Sequence, residues 1–187
     1  MDASEAREHL GTVDRIIAAS SRRLYAGGEF FVAWGIAGAV IDVIFTLVLA
    51  GVLPLQAEWI DLPVLLAAIV FTVLRVRFYR TYGTMPLLQR EYLNVMQISI
   101  GVAVFSNVLA FNLFSAMASM AIWNIVESIV LAYIAIHGNI RARIATVIML
   151  MSVAIANFVP SFAGYILAAG VFFGYACFGI ADLLARD

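Results

Sequence analysis

Residues 116–143 read AMASMAIWNIVESIVLAYIAIHGNIRAR. From Ala116 to Ile136 the one formally charged side chain is Glu127. The run matches the roughly 20 residues that a helix needs to cross about 30 Å of hydrocarbon. His137, Gly138 and Asn139 end it, and Arg141 and Arg143 follow at once. An apolar segment closed by a glycine turn and bordered by arginine is the pattern of a membrane span with a cytoplasmic flank.

Working outward, five more apolar runs of similar length can be marked, at 30–50, 60–79, 93–114, 142–160 and 162–184. Punctuation separates them: Gly51 to Pro54, Gly83 to Pro86, Gly138 and Pro160. Between the third and fourth runs only Asn112 to Ala116 intervenes, which predicts a tight helical hairpin. Every backbone polar group inside a bilayer needs an internal partner, and no alternating barrel-strand pattern occurs, so the runs are helices. The expected fold is all-α, a polytopic bundle of six transmembrane helices. Three stacked helical hairpins would account for a short similarity between the corners at 110–115 (AFNLFS) and 156–161 (ANFVPS).

Composition agrees. Hydrophobic residues make up 64% of the 187 and charged residues 12%, about half the charged fraction of an ordinary soluble domain. Lipid is therefore expected to cover most of the surface. A formal net charge of −1 with no basic tail argues against a nucleic-acid partner.

Orientation follows from the arginines. All eleven positive residues are arginine: Arg7, Arg15, Arg22, Arg23, Arg75, Arg77, Arg80, Arg90, Arg141, Arg143 and Arg186. They fall in the N-terminal segment, the second–third and fourth–fifth connections and the C-terminal end. The remaining connections hold only Glu58 and Asp61. Positive residues collect on the cytoplasmic side, so both termini are expected there. The Ala- and Arg-rich, Lys-free composition suits a high-GC bacterial genome, hence the expectation of an inner membrane.

Two domains are expected: an amphipathic helix over residues 1–24 and a transmembrane domain over 25–187. Asp2 and Glu5 fit a capping box, and Leu10, Val13, Ile17 and Leu24 recur at helical spacing. Two readings of that helix stand open. It lies on the headgroups with Arg22 and Arg23 near anionic lipid, or it docks a cytoplasmic protein.

Absences narrow the chemistry. Cys177 is the one cysteine, His9 and His137 are the two histidines, and lysine does not occur. Intramolecular disulfides, thiolate clusters, bis-histidine haem ligation within the bilayer and a lysine Schiff base are thereby excluded within one chain. No GxSxG or HExxH spacing is present. The expectation is a non-enzyme with no cofactor and no metal site.

Ionisable groups in hydrocarbon cost at least about 2.5–3.5 kcal/mol at a helix centre, so each needs a reason. Asp42 lies roughly 18 Å from the start of the first run and Glu127 roughly 15 Å from the end of the fourth, at 1.5 Å per residue. Asn124 shares the face of Glu127 at i−3, and Asn107 in the third run falls roughly 21 Å in. Asp42, Asn107, Asn124 and Glu127 are the candidate ligand- or ion-binding residues. Oxygen-rich groups of this kind suit a proton, a hard cation or a small polar solute. The competing reading is a neutral carboxyl that hydrogen-bonds an amide on a neighbouring helix and holds the bundle together.

Other polar residues have plainer roles. Glu29, Glu91 and Asp182 sit near the arginine-rich end, where Arg75, Arg77, Arg80 and Arg90 offer partners, and Asp182 has Arg186 at i+4. Arg75 and Arg77 are expected to snorkel. His137 reads as a helix-terminal residue, Trp59 as an aromatic-belt residue, and Trp34 and Trp123 as packing. Small-residue pairs line the sixth run (Gly164-x-x-x-Ala168, Gly170-x-x-x-Gly174) and the first (Ala33-x-x-x-Ala37, Gly35-x-x-x-Ala39). They mark either close packing within the bundle or a homo-oligomer seam. A carrier- or channel-type protein is the first functional expectation. The alternative is a non-transporting subunit, scaffold or sensor.

Overall fold

The computed structural model describes residues 11–13, 27–82, 87–109 and 115–185. All regular structure among them is helical. Of the segment 1–24, only 11–13 is described, as helix. The rest of that expected amphipathic helix and the hairpin at 110–114 lie outside the described residues.

Helix α1 (Gly28–Leu49) is followed by a 3₁₀ turn at Leu55–Ile60 and then by α2 (Asp61–Tyr82), α3 (Leu87–Leu109), α4 (Ala116–Ile136) and α5 (Ile140–Phe158). The final helix is a single rod, Pro160–Leu184. It comprises a 3₁₀ turn, α6 (Ala163–Val171), a π-helical turn at Phe172–Ala176 and α7 (Cys177–Leu184). Among the described residues, five helices are long and apolar enough to cross a membrane: Gly28–Leu49, Asp61–Tyr79, Met117–Ile136, Ile140–Phe158 and Pro160–Leu184. The chain is thus a multi-pass all-helical membrane protein. Helix α3 begins about six residues before the expected run because the polar turn Gln89-Arg90-Glu91 is itself helical. Those residues, with Asn94 and Gln97, give α3 a polar first half.

Helix ends follow local chemistry. Ser115 caps α4 by accepting from the Ala118 amide at 3.2 Å. Asn139 caps α5 by accepting from the Arg141 and Ala142 amides at 3.0 and 3.1 Å. Side-chain acceptors there satisfy amides that have no partner within their own helix. Gly138, with φ of 92°, makes the left-handed turn between α4 and α5 that a Cβ would disfavour.

The last rod is the centre of the bundle: 56% of its span is buried within the chain, against 6% for the span of α2. Helix α1 runs antiparallel to it at close range, and glycines make the approach. Gly28 faces the Gly179 carbonyl, Gly35 the Ala176 backbone, Gly38 Val171, and Gly164 Thr46. Gly174 receives Met149 of α5. The glycines of the small-residue faces of the first and last runs therefore make contacts inside one chain, while Ala39 and Ala168 line an outward-open groove. Lipid tails are as apolar as leucine, so this close dispersion packing replaces the hydrophobic drive that a soluble core would have. The π turn gives the rod three consecutive inward residues, Gly174, Tyr175 and Ala176. A straight α-helical turn would bury fewer of them on one face.

Helix α2 sits on the rim, fastened to α1 by directional contacts. The Trp34 indole N–H donates to Thr72 Oγ1 at 2.9 Å. Arg75 donates twice to Glu29 Oε1, at 3.0 Å from Nε and 2.6 Å from Nη2, and the Tyr79 hydroxyl donates to the same oxygen. Phe30 packs edge-on against Phe71 with ring centroids 6.3 Å apart. Trp34, expected only to pack, is therefore also a hydrogen-bond donor between helices. Arg75 pairs with Glu29 rather than simply snorkelling.

The described arginines share one end of the bundle. There Arg141 donates to the Ala181 carbonyl at 3.0 Å, and Tyr133 donates to Glu91 at 3.0 Å. Glu91 thus takes a tyrosine where an arginine partner was expected. The His137 Nδ1–H donates to the Tyr133 carbonyl at 2.8 Å and its ring lies tilted against the Tyr133 ring, a helix-end role. Asp182 is buried beside Gly28, while its expected partner Arg186 lies outside the described residues. Trp59, 74% exposed, stands at the opposite end.

Candidate polar site between the helices

Four elements meet around Asn124, which is wholly buried on α4. Its side-chain nitrogen donates back to the Met120 carbonyl at 3.3 Å, and its amide is turned toward the Asp42 carboxyl of α1 as a hydrogen-bond partner. On the other side it faces Gly170 of α6, where a Cβ would come within 3.3 Å of Asn124 Oδ1. Ser152 of α5 fills the same wall, donating to its own Met149 carbonyl at 2.7 Å. A Cβ at residue 170 would crowd Asn124 and run into Ser152.

One turn along α4, Glu127 lies against α1. A Cβ on Gly38 would stand 3.8 Å from Glu127 Oε1. Gly38 is one helical turn before Asp42, so the two carboxyls share that face of α1 and lie within electrostatic reach of each other. Asp42 is buried, and Asp61 at the start of α2 also acts on it through space. Below Asp42, Thr46 donates to the Asp42 carbonyl at 2.6 Å and packs onto Gly164.

Two oxygens at this level are buried without a hydrogen-bond partner: Asn124 Oδ1 and Glu127 Oε2. Buried acceptors of this kind cost free energy unless something pairs with them. Beside Glu127 is a small cavity of about 20 Å³, walled by Trp34, Met96, Ile100, Trp123, Val126, Val130 and Tyr175. Trp123 therefore helps to wall a polar site as well as packing.

The helices thus bring Asp42, Asn124 and Glu127 together from two different spans. Asn107 lies on α3, and its side chain falls outside what the structure describes. Sequence reasoning missed the walls. Gly38 and Gly170 make room, Ser152 supplies a third helix, and Tyr175 comes in from the π turn. Gly170 was visible as part of a small-residue pair, but nothing local says that an asparagine faces it. Among the described residues no group of three His, Cys, Asp or Glu is placed to hold a metal ion. Comparison with protein-family models, with curated proteins and with solved structures finds no match to this chain.

Proposed function

We propose that this chain is a small carrier- or channel-type protein of a bacterial inner membrane, and that its cation, proton or small polar solute is taken at Asp42, Asn124 and Glu127. The observation that carries the reading is the pair of partnerless buried oxygens beside two carboxyls on facing helices. A purely structural carboxyl–amide contact would leave its acceptors matched, because an unmatched one weakens the bundle it is meant to hold.

In this reading α3 is a sixth span. Its 23 residues extend about 34 Å at 1.5 Å per residue, enough to cross the hydrocarbon. The six helices then form three hairpins with both termini in the cytoplasm. The arginine-bearing end supports that orientation. Reporters fused near Gly83, near Asn139 and after Asp187 are expected to read as cytoplasmic, and those near Gln56, Ser115 and Ser161 as external. An external signal at the C-terminus would overturn the six-span arrangement.

The test of function is uptake by proteoliposomes carrying wild type, Asp42→Asn or Glu127→Gln. Each amide is close in shape to its acid and brings no buried charge, so melting temperature is expected to change little. Proton- or cation-driven uptake should be lost in both. Glu127→Leu should in addition cost roughly 0.6–2 kcal/mol, the range of interhelical hydrogen bonds in membranes. Uptake that survives in both amide variants would reduce the acids to packing residues.

A further inference from the structure

The hollows of the molecule differ in a way that bears on what the site holds. Among the described residues, three larger ones, of about 480, 420 and 220 Å³, open outward. The first is an apolar groove between α1 and α6 lined by residues such as Val40 and Phe172, and the other two lie near the bundle ends, around Trp59 and Arg141. None of the three is lined by Asp42, Asn124 or Glu127. Among the described residues, Glu127 lines the cavity of about 20 Å³.

A water molecule needs about 10–15 Å³ of such space, so this cavity holds one and no more. An organic solute does not fit. A hard cation fares no better, because such ions gather six or more oxygen ligands. The lining offers one carboxylate and the Tyr175 hydroxyl amid Met96, Ile100, Val126, Val130 and two indoles. The Trp34 indole already donates to Thr72.

Resting on the carrier reading above, we infer that what Glu127 takes up is a proton, held as its neutral carboxyl beside a single water. A proton reaching that water makes it hydronium, and its transfer forms an O–H bond at Glu127 while one O–H bond of the hydronium breaks, leaving neutral water. Release reverses the step, and no other reactant is consumed. The neutral carboxyl then carries no buried charge at the partnerless Oε2, and its O–H can donate to the water. The titratable groups facing it are Asp42 from α1 and Tyr175 from the π turn, with Asp61 of α2 acting on Asp42. Helix α3 contributes Met96 and Ile100 to the same wall, and α5 contributes Ser152 to the Asn124 side.

Infrared spectroscopy of the protein in lipid nanodiscs tests this. Wild type should show a protonated-carboxyl C=O band that declines as pH rises and shifts in D₂O, and Glu127→Gln should lose that band. Glu127→Asp should retain a displaced one, which shows that the glutamine variant did not lose it by misfolding. Melting temperatures with sodium, potassium, calcium and ethylamine should not move. A band indifferent to Glu127→Gln, or a cation or amine that stabilises wild type but not that variant, would overturn the proton assignment. In the second case the carrier reading survives with another cargo. A Glu127-dependent band without proton flux into proteoliposomes would keep the proton and sink the carrier.

Discussion

Gly35→Val is expected to prevent stable assembly of the bundle. A Cβ on Gly35 would lie 2.8 Å from the Ala176 Cα and closer still to the Ala176 amide nitrogen. What it meets is backbone in the middle of the rod, and backbone cannot swing aside as a side-chain end can. Overpacking costs typically 1–3 kcal/mol when neighbours can adjust, so about 3 kcal/mol or more is expected here. The contrast is Gly101→Ala on α3, where a Cβ meets nothing within 4 Å. That change removes a residue that weakens helices and should leave stability unchanged or raise it by up to about 1 kcal/mol. Reversible unfolding in mixed micelles measures both. Similar stabilities for the two variants would mean that α1 and the last rod do not approach as described.

Gly170→Ala carries the second large effect, because it acts on the polar site and on packing at once. Its Cβ would overlap Ser152 Oγ and come within 3.3 Å of Asn124 Oδ1. The expected cost is about 1–3 kcal/mol, together with loss of uptake as Asn124 is driven from its place beside Asp42. Because the obstructing atoms belong to a side chain, the effect is reversible by design. Ser152→Gly in the same chain should recover part of the stability and of the uptake, less the roughly 1 kcal/mol that a mid-helix glycine costs. A double variant no better than Gly170→Ala would show that the wall around Asn124 is not formed by Ser152. The interaction between the two changes, not either alone, is the informative quantity.

What was legible in the sequence, and what was not, divides along physical lines. Five of the expected runs match described helices closely, as with 116–136 and Ala116–Ile136, because length and apolarity are local properties. Helix α3 was placed several residues late because helical structure continues past the apolar stretch into Gln89-Arg90-Glu91, where hydropathy falls but backbone hydrogen bonding does not. Asp42, Asn124 and Glu127 stood out because charge and amide in hydrocarbon are rare. Their meeting, however, depends on which helix lies beside which, and no local pattern records that order. For the same reason the glycine faces leave packing and oligomer readings equally open in the sequence, and the contact of Gly35 with Ala176 is visible only in the fold. The π turn has no sequence signature here, and with it went the role of Tyr175.

The rim position of α2 bears on how the protein is made. A helix that buries 6% of its span against its own chain gains little from docking. It must partition into lipid on its own apolarity and join α1 afterwards, through Trp34, Glu29 and Arg75. The last rod is the reverse case: with 56% of its span covered, its glycine faces find their partners only when α1 and α5 are already in place. Translation delivers the helices in that order, the self-sufficient one second and the dependent one last. The rod can therefore settle against α1 and α5, which are already made when it emerges.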